Sequence, residues 1–335
     1  MVNSEIPMFA DHWVIAQLIG QVCSIFLLTI ALFISIRTIY RWEPDSSSEL
    51  QINLERQTYL TSTVIRYVLI FQIISLFVFI FTVNNHLPGL IRGAMCASGT
   101  LTVNSYGYPL LYVKISAIPF YAIYLFMDYL DQSEAQYPLT PQKFWLVFPV
   151  FILLLTDFIF TLLYFGHIDP QVIATCCSIS FSATPSWNDS ILSGGQWIGI
   201  SLILFYVMAA CLIVGLFLIK KYPVINLILT FLFIPVSVYS LKYHFVKFIY
   251  ELPTHNCLFD IFWAQYYYIG YLLFGSLLIL LISTLLMTIF PLIQSRLQKN
   301  HDRLIKQFRY TALFCTFLFV MINSAYWLYW LIFRL

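Results

Sequence analysis

The residues of this chain with the most chemistry to offer are cysteines and histidines gathered in short polar turns. One turn, Pro253-Thr254-His255-Asn256-Cys257-Leu258-Phe259-Asp260, carries a His-x-Cys pair between two long apolar runs. Cys176 and Cys177 are neighbours in a second turn, Cys96 lies in a third, and His244 precedes the first. A His-x-Cys step in extended chain can direct both side chains to one ion. Thiolates suit copper(I) or zinc, and imidazole suits copper, zinc and iron. Cys176, Cys177, His255 and Cys257 are therefore candidate ligands for a soft metal or a haem iron, with Cys96 or His244 in reserve.

The same cysteines admit two other chemistries. Extracytoplasmic cysteines usually form static disulfides. Joining neighbours strains the ring, so Cys96 and Cys257 would each pair with one of Cys176 and Cys177 and tie three turns together. Thiol-disulfide exchange is the third reading, with Cys257 expected at the start of a helix behind Asn256 as N-cap, a position that favours thiolates. Asp260, one turn later, opposes it, and the chain contains no Cys-x-x-Cys.

These turns need elements to hold them. Of the 335 residues 61% are hydrophobic and only 10% charged, against about a quarter charged in soluble domains, so the solvent is a lipid bilayer. A net charge of +2 provides no basic surface for nucleic acid. Apolar runs long enough to cross about 30 Å of hydrocarbon fall near 13–36, 61–83, 107–130, 143–166, 196–219, 223–243, 258–290 and 309–333. They lack the strict alternation of a membrane barrel, and an open sheet would leave backbone groups unpaired in lipid. The expected fold is all-α: a polytopic transmembrane helix bundle of about eight spans forming a single integral membrane domain over 1–335. Leu87-Pro88 before Cys96 and Leu252-Pro253 before Cys257 suggest a weak parallel repeat of 1–166 and 196–335. No Lys or Arg precedes the first run, which reads as a retained anchor rather than a cleaved signal.

Charge sets the expected orientation. Arg37, Arg41, Arg56, Lys143, Lys220, Lys221, Arg296, Lys299, Arg303, Lys306 and Arg309 fall on one side, and only Arg92, Lys242, Lys247 and Arg334 on the other. The positive-inside rule then puts both termini and the turns 84–106, 167–195 and 244–257 on the extracytoplasmic side. Those turns hold Cys96, Cys176, Cys177, Cys257, His86, His167, His244 and His255, and His12 lies at the outer end of the first run. The seventh run, at about 1.5 Å per residue, is roughly 50 Å long as a helix and must tilt or project.

Lys114, Asp157 and Arg66 are charges within spans that need a partner or an exit to water. Lys114 and Asp157 lie roughly 10–14 Å below the outer boundary on consecutive antiparallel helices. They are expected to form an intramembrane ion pair that fixes helix register or relays a proton or ion. Arg66, near an inner helix end, is expected to snorkel to the headgroups.

No phosphate-binding Gly-rich loop, Gly-x-Ser-x-Gly or His-Glu-x-x-His is present, which disfavours a P-loop ATPase, a nucleophile-elbow hydrolase and a zincin. The readings that remain are soft-metal or haem handling in a transport or assembly system, a non-catalytic subunit of a membrane complex with structural disulfides, and a membrane thiol-disulfide oxidoreductase. The expected partners are the bilayer and a membrane or extracytoplasmic protein. Thiol counting with a membrane-impermeant maleimide separates these readings. Protection relieved only by a chelator favours metal, protection relieved only by reduction favours disulfides, and labelling of Cys96 or Cys257 from the cytoplasmic side alone overturns the orientation.

Overall fold

Helix is the only regular structure among the described residues of the computed structural model, which are 11–42, 49–134, 136–169, 195–218, 222–251, 257–298 and 302–333. The long elements are α1 (His12–Arg41), α2 (Glu49–Phe81), α4 (Gly107–Ser133), α6 (Val147–Gly166), α7 (Gly195–Leu218), α8 (Pro223–Ser240), α10 (Ile269–Gln294) and α11 (Asp302–Phe333). Short helices α3 (Ala97–Thr102), α5 (Thr140–Trp145) and α9 (Val246–Tyr250) fill connections. Eight helical segments are long and apolar enough to cross a membrane, which makes this an integral membrane protein by length and composition.

The chain divides into two units, Met1–Ala174 with Ser295–Asn300, and Thr175–Gln294 with His301–Leu335. In the first, α1 packs on α2 and α6, and α4 packs on α6 and α2, closing a ring of four helices. In the second, α8 packs on α7 and α10, and α11 on α10 and α7. That unit is centred on Phe205, Phe233, Phe245 and Phe319, whose rings meet at 5.3–6.3 Å. Its buried polar side chains are neutral, as in Ser276, Thr284 and Thr316, whose hydroxyls donate to carbonyls of the preceding turn.

In the first unit the usual order of faces is inverted. The buried stripe of α1, Val14, Gln17, Gln21, Ser24, Leu28, Ala31, Ser35 and Thr38, follows a strict three-four spacing and is mostly polar or small. Its exposed face carries Ile19, Val22, Phe26, Ile30 and Phe33. A helix that hides its glutamines and shows its phenylalanines is stable only where the surroundings are apolar.

One end of the first unit is fixed by a charge clamp. Arg66 of α2 donates to Asp128 Oδ2 through Nη2 (2.6 Å) and Nε (3.1 Å). Lys143 Nζ donates to Asp128 Oδ1 at 3.0 Å and lies 2.7 Å from Asp131 Oδ2. Asp131 also accepts from the Leu139 amide and the Thr140 hydroxyl, each at 2.8 Å, which holds α5 against the end of α4. The snorkelling expected of Arg66 is thus replaced by an ion pair, because a buried carboxylate one helix away is a stronger partner than a distant headgroup. Lys143, expected in a solvated loop, is buried between two aspartates.

The opposite end is closed by the segment that contains Cys96. Asn84 Oδ1 accepts from the Ala97 amide, Thr100 Oγ1 donates to the Val83 carbonyl, and Tyr164 Oη donates to the Thr100 carbonyl. A Cβ at Gly107 would collide with the Leu101 carbonyl, so only glycine lets α3 fold back onto the start of α4.

The seventh apolar run does not form one overlong helix. Asp260–Phe262 and Ala264–Tyr266 are single 3-10 turns, and Tyr267 and Tyr268 both adopt left-handed backbone at φ 54°. Two consecutive non-glycine residues in that region stop helix propagation, so α10 begins at Ile269. The excess length is taken up in turns rather than tilt. Cys257 therefore precedes a 3-10 turn instead of starting a long helix, and the helix-dipole argument for its thiolate is lost.

The clamp predicts a measurable cost. Asp128→Ala leaves Lys143 and Arg66 short of a counter-charge and should destabilise the first unit by about 3–5 kcal/mol, read as a lowered thermal midpoint in detergent. Glu49→Gln, at an exposed position in the first turn of α2, should leave the midpoint nearly unchanged.

Candidate functional site

Among the described residues, every buried charged side chain, namely Lys114, Asp128, Asp131, Glu134, Lys143 and Asp157, belongs to the first unit. The face of α4 explains why. Lys114, Tyr121, Tyr124, Asp128 and Asp131 are separated by seven, three, four and three residues, which stacks them on one side of the helix, and all five are buried.

At the upper level Lys114 Nζ donates to Asp157 Oδ2 at 2.9 Å, with both side chains almost wholly enclosed. Gln21 of α1 donates through Nε2 to the same Asp157 oxygen (2.9 Å) and to Thr161 Oγ1 (3.1 Å). Thr161 Oγ1 in turn donates to the Asp157 carbonyl, and the Lys114 ammonium lies 5.5 Å from the Phe79 ring centre. Three helices, α1, α4 and α6, thus converge on one carboxylate, with a ring from α2 as the fourth wall. Gln21, Lys114 and Asp157 lie seven to nine residues from the ends of their helices, a depth of roughly 10–14 Å at about 1.5 Å per residue.

One turn nearer that end, Gln17 Nε2 donates to Thr82 Oγ1 at 2.9 Å. The helix end itself carries Asp11, whose Oδ1 accepts from the amides of Trp13 and Val14 while Oδ2 lies 2.6 Å from His86 Nε2. Burial by itself would raise the Asp11 carboxyl, but the His86 imidazole and the two amides outweigh it and hold the group below its ordinary value. His12 completes the cluster, its Nδ1 3.9 Å from the same Asp11 oxygen.

The network is incomplete on the acceptor side. Gln17 Oε1, Gln21 Oε1 and Asp157 Oδ1 are buried without a hydrogen-bond partner, as is Gln72 Nε2 on α2. An unsatisfied buried polar atom costs about 1–3 kcal/mol, so the unpartnered oxygens beside the Lys114–Asp157 pair call for an explanation.

The other residues singled out in the sequence are distributed differently. Cys96 is buried in the first unit, immediately before α3. Cys257 is half-buried in the second unit, where its carbonyl accepts from Tyr250 Oη at 2.7 Å. His244, also in the second unit, sits among Phe245, Phe248 and Trp327 at 5.0–6.0 Å, and its Nε2 is enclosed without a partner. Among the described residues no second metal ligand is grouped with this imidazole. Cys176, Cys177 and His255 lie outside the described residues. The Asp11, His12 and His86 group was not singled out in the sequence, although two histidines at facing ends of the first helical hairpin were a usable signal. Arg66 and Lys143 as partners of Asp128 were also missed, because each was assigned to its own helix end.

Comparison with protein-family models, curated proteins and solved structures finds no match. The site's chemistry must therefore be argued from its own residues.

The ion pair itself is open to test. Lys114→Ala or Asp157→Ala alone should cost about 3–5 kcal/mol, because each strands a buried charge. Exchanging the two residues should recover a large part of that loss in a denaturant titration. If the exchanged protein is as unstable as either alanine variant, the pair contributes nothing beyond packing.

Proposed function

We propose that the protein is a membrane transport protein whose first unit passes protons along its buried polar file. The observation that carries this reading is the Lys114–Asp157 pair, enclosed at helical depth with Gln21 and Thr161, together with the unpartnered oxygens of Asp157, Gln21 and Gln17 beside it. Ionisable residues within spans each cost about 2.5–3.5 kcal/mol, and those that persist typically line ion or proton pathways. A structural pair would be complete when its atoms were paired; here the carboxylate keeps one oxygen available for water or a proton.

The file also supplies groups above and below. Tyr121 and Tyr124 follow Lys114 on the same face of α4 and lead to Asp128 and the Lys143–Asp131 pair. Toward the other end, Gln17 and Thr82 lead to Asp11 and His86. Both internal charge groups are formally neutral, one lysine with one aspartate and one arginine and lysine with two aspartates. A proton that moves within either group, from the cation to the carboxylate, leaves the buried net charge at zero. Under the positive-inside orientation the His86 end opens outward.

Soft-metal or haem handling at Cys96, Cys176, Cys177, His244, His255 and Cys257 belongs to the same transport class and is the second reading, with Cys176, Cys177 and His255 outside the described residues. In proteoliposomes carrying an internal pH-sensitive dye, the wild-type protein should dissipate an imposed proton gradient. Asp157→Asn, close to isosteric, should slow that flux by about tenfold or more when compared at equal amounts of folded, reconstituted protein, since it also removes the counter-charge of Lys114 and lowers the thermal midpoint. Flux no greater than in protein-free vesicles, or undiminished flux in Asp157→Asn, overturns the proposal.

A further inference from the structure

We infer that Asp11, His12 and His86 form a binding site for a divalent first-row transition-metal ion at the end of the first helical hairpin. The inference does not rest on proton transport and stands or falls by metal binding alone. One ligand atom from each residue lies within 4.8 Å of the other two. The Asp11 carboxylate is already oriented for the task. Its Oδ1 is held by the Trp13 and Val14 amides at 2.9 and 3.3 Å, so Oδ2 is presented in one direction, toward both imidazoles. Backbone donors of this kind commonly fix a metal-binding carboxylate as a single-oxygen ligand.

The two histidines differ usefully. His86 projects from the π-turn Thr82–His86 that continues α2, and its Nε2 is already 2.6 Å from Asp11 Oδ2. His12 is largely exposed, with its Nδ1 3.9 Å from that oxygen and its ring 5.2 Å from the His86 ring in an edge-on arrangement. Ligand atoms around a tetrahedral zinc at about 2.0–2.2 Å are separated by roughly 3.3 Å. A modest rotation of the exposed His12 side chain closes the difference. The ion takes the place of the His86 to Asp11 hydrogen bond, and a fourth position stays open to water or to a ligand.

The donor set defines the ion. Two neutral imidazoles and one carboxylate suit Zn²⁺, Ni²⁺ or Cu²⁺, whereas Ca²⁺ and Mg²⁺ require more oxygen ligands than this group among the described residues supplies. The Asp11 carboxylate lies at the N-terminus of α1, where the Trp13 and Val14 amides donate to it. This site contains no cysteine and is distinct from the thiol ligands considered in the sequence.

The test uses the full chain in detergent with its thiols blocked by N-ethylmaleimide, which removes sulfur ligands from competition. Zn²⁺ binding is measured against a chromophoric chelator, and Co²⁺ substitution gives a ligand-field spectrum. The wild-type protein should bind one ion at this site, with a nitrogen- and oxygen-ligated Co²⁺ spectrum. His12→Gln removes an exposed ligand without disturbing the core and should weaken binding by about tenfold or more. Asp11→Asn keeps an N-cap but removes the charge, and it should weaken binding similarly. His167→Gln, a histidine of the same unit bonded to the Leu163 carbonyl, should bind as the wild type does. Equal Zn²⁺ affinity in the wild-type protein, His12→Gln and Asp11→Asn, or no Zn²⁺ bound by the thiol-blocked wild type, overturns the inference.

Discussion

A carboxylate enclosed by apolar helices keeps its charge only if a cation and several donors reach it, and Asp157 obtains all of these from neighbouring helices. Lys114 supplies the cation from α4, and Gln21 supplies a donor from α1. Neither residue is close to Asp157 in the chain, so satisfying that one group fixes the relative height and rotation of three helices. The same logic operates at the other end, where Asp128 gathers Arg66 and Lys143 and so adds α2 and α5. Apolar packing then has only to fill the spaces between levels already set by charge. In lipid, helix association gains little from burying hydrocarbon, and such specific polar contacts carry more of the decision.

The second unit reaches a closed ring of helices by other means. Phenylalanine rings fill its centre, and the hydroxyls of Thr230, Ser276, Thr284 and Thr316 bond within their own helices, while Ser240 donates to the Ser201 carbonyl of α7. A hydroxyl that bonds to its own backbone says nothing about neighbouring helices, so register there rests mainly on ring packing, helped by contacts between helices such as Tyr206 with Ser324. Two units with related helix numbers thus differ in their buried polarity, and among the described residues the buried charged side chains lie in the one that contains α4.

Much of this was legible in the sequence. Length and apolarity identified the spans, and Lys114 and Asp157 could be placed at one depth by counting residues from helix ends. What escaped did so for definite reasons. The clamp on Asp128 draws Arg66 and Lys143 from two different segments, and local reading treats a basic residue at a helix end as solvated. The break in the seventh run lies at Tyr267 and Tyr268, whose left-handed backbone is set by their surroundings and has no glycine to announce it. Cys257 looked like a helix start because a long apolar run follows it. The Asp11, His12 and His86 group depended on the π-turn at Thr82–His86, which sets the direction of His86 and cannot be read from periodicity.

The polar face of α4 also bears on how the protein is made. Lys114 precedes its partner Asp157 by 43 residues and so reaches the membrane before it, because the chain is made from its N-terminus. Each unmatched charge at helix depth costs about 2.5–3.5 kcal/mol, more than the surrounding residues of one span readily offset. The fourth helix is therefore best inserted as a pair with the sixth, or held at the insertion machinery until the sixth emerges. The short connection through α5, already gripped by Asp131, keeps that wait brief. A longer loop at this point would separate the two halves of an ion pair in time as well as in space.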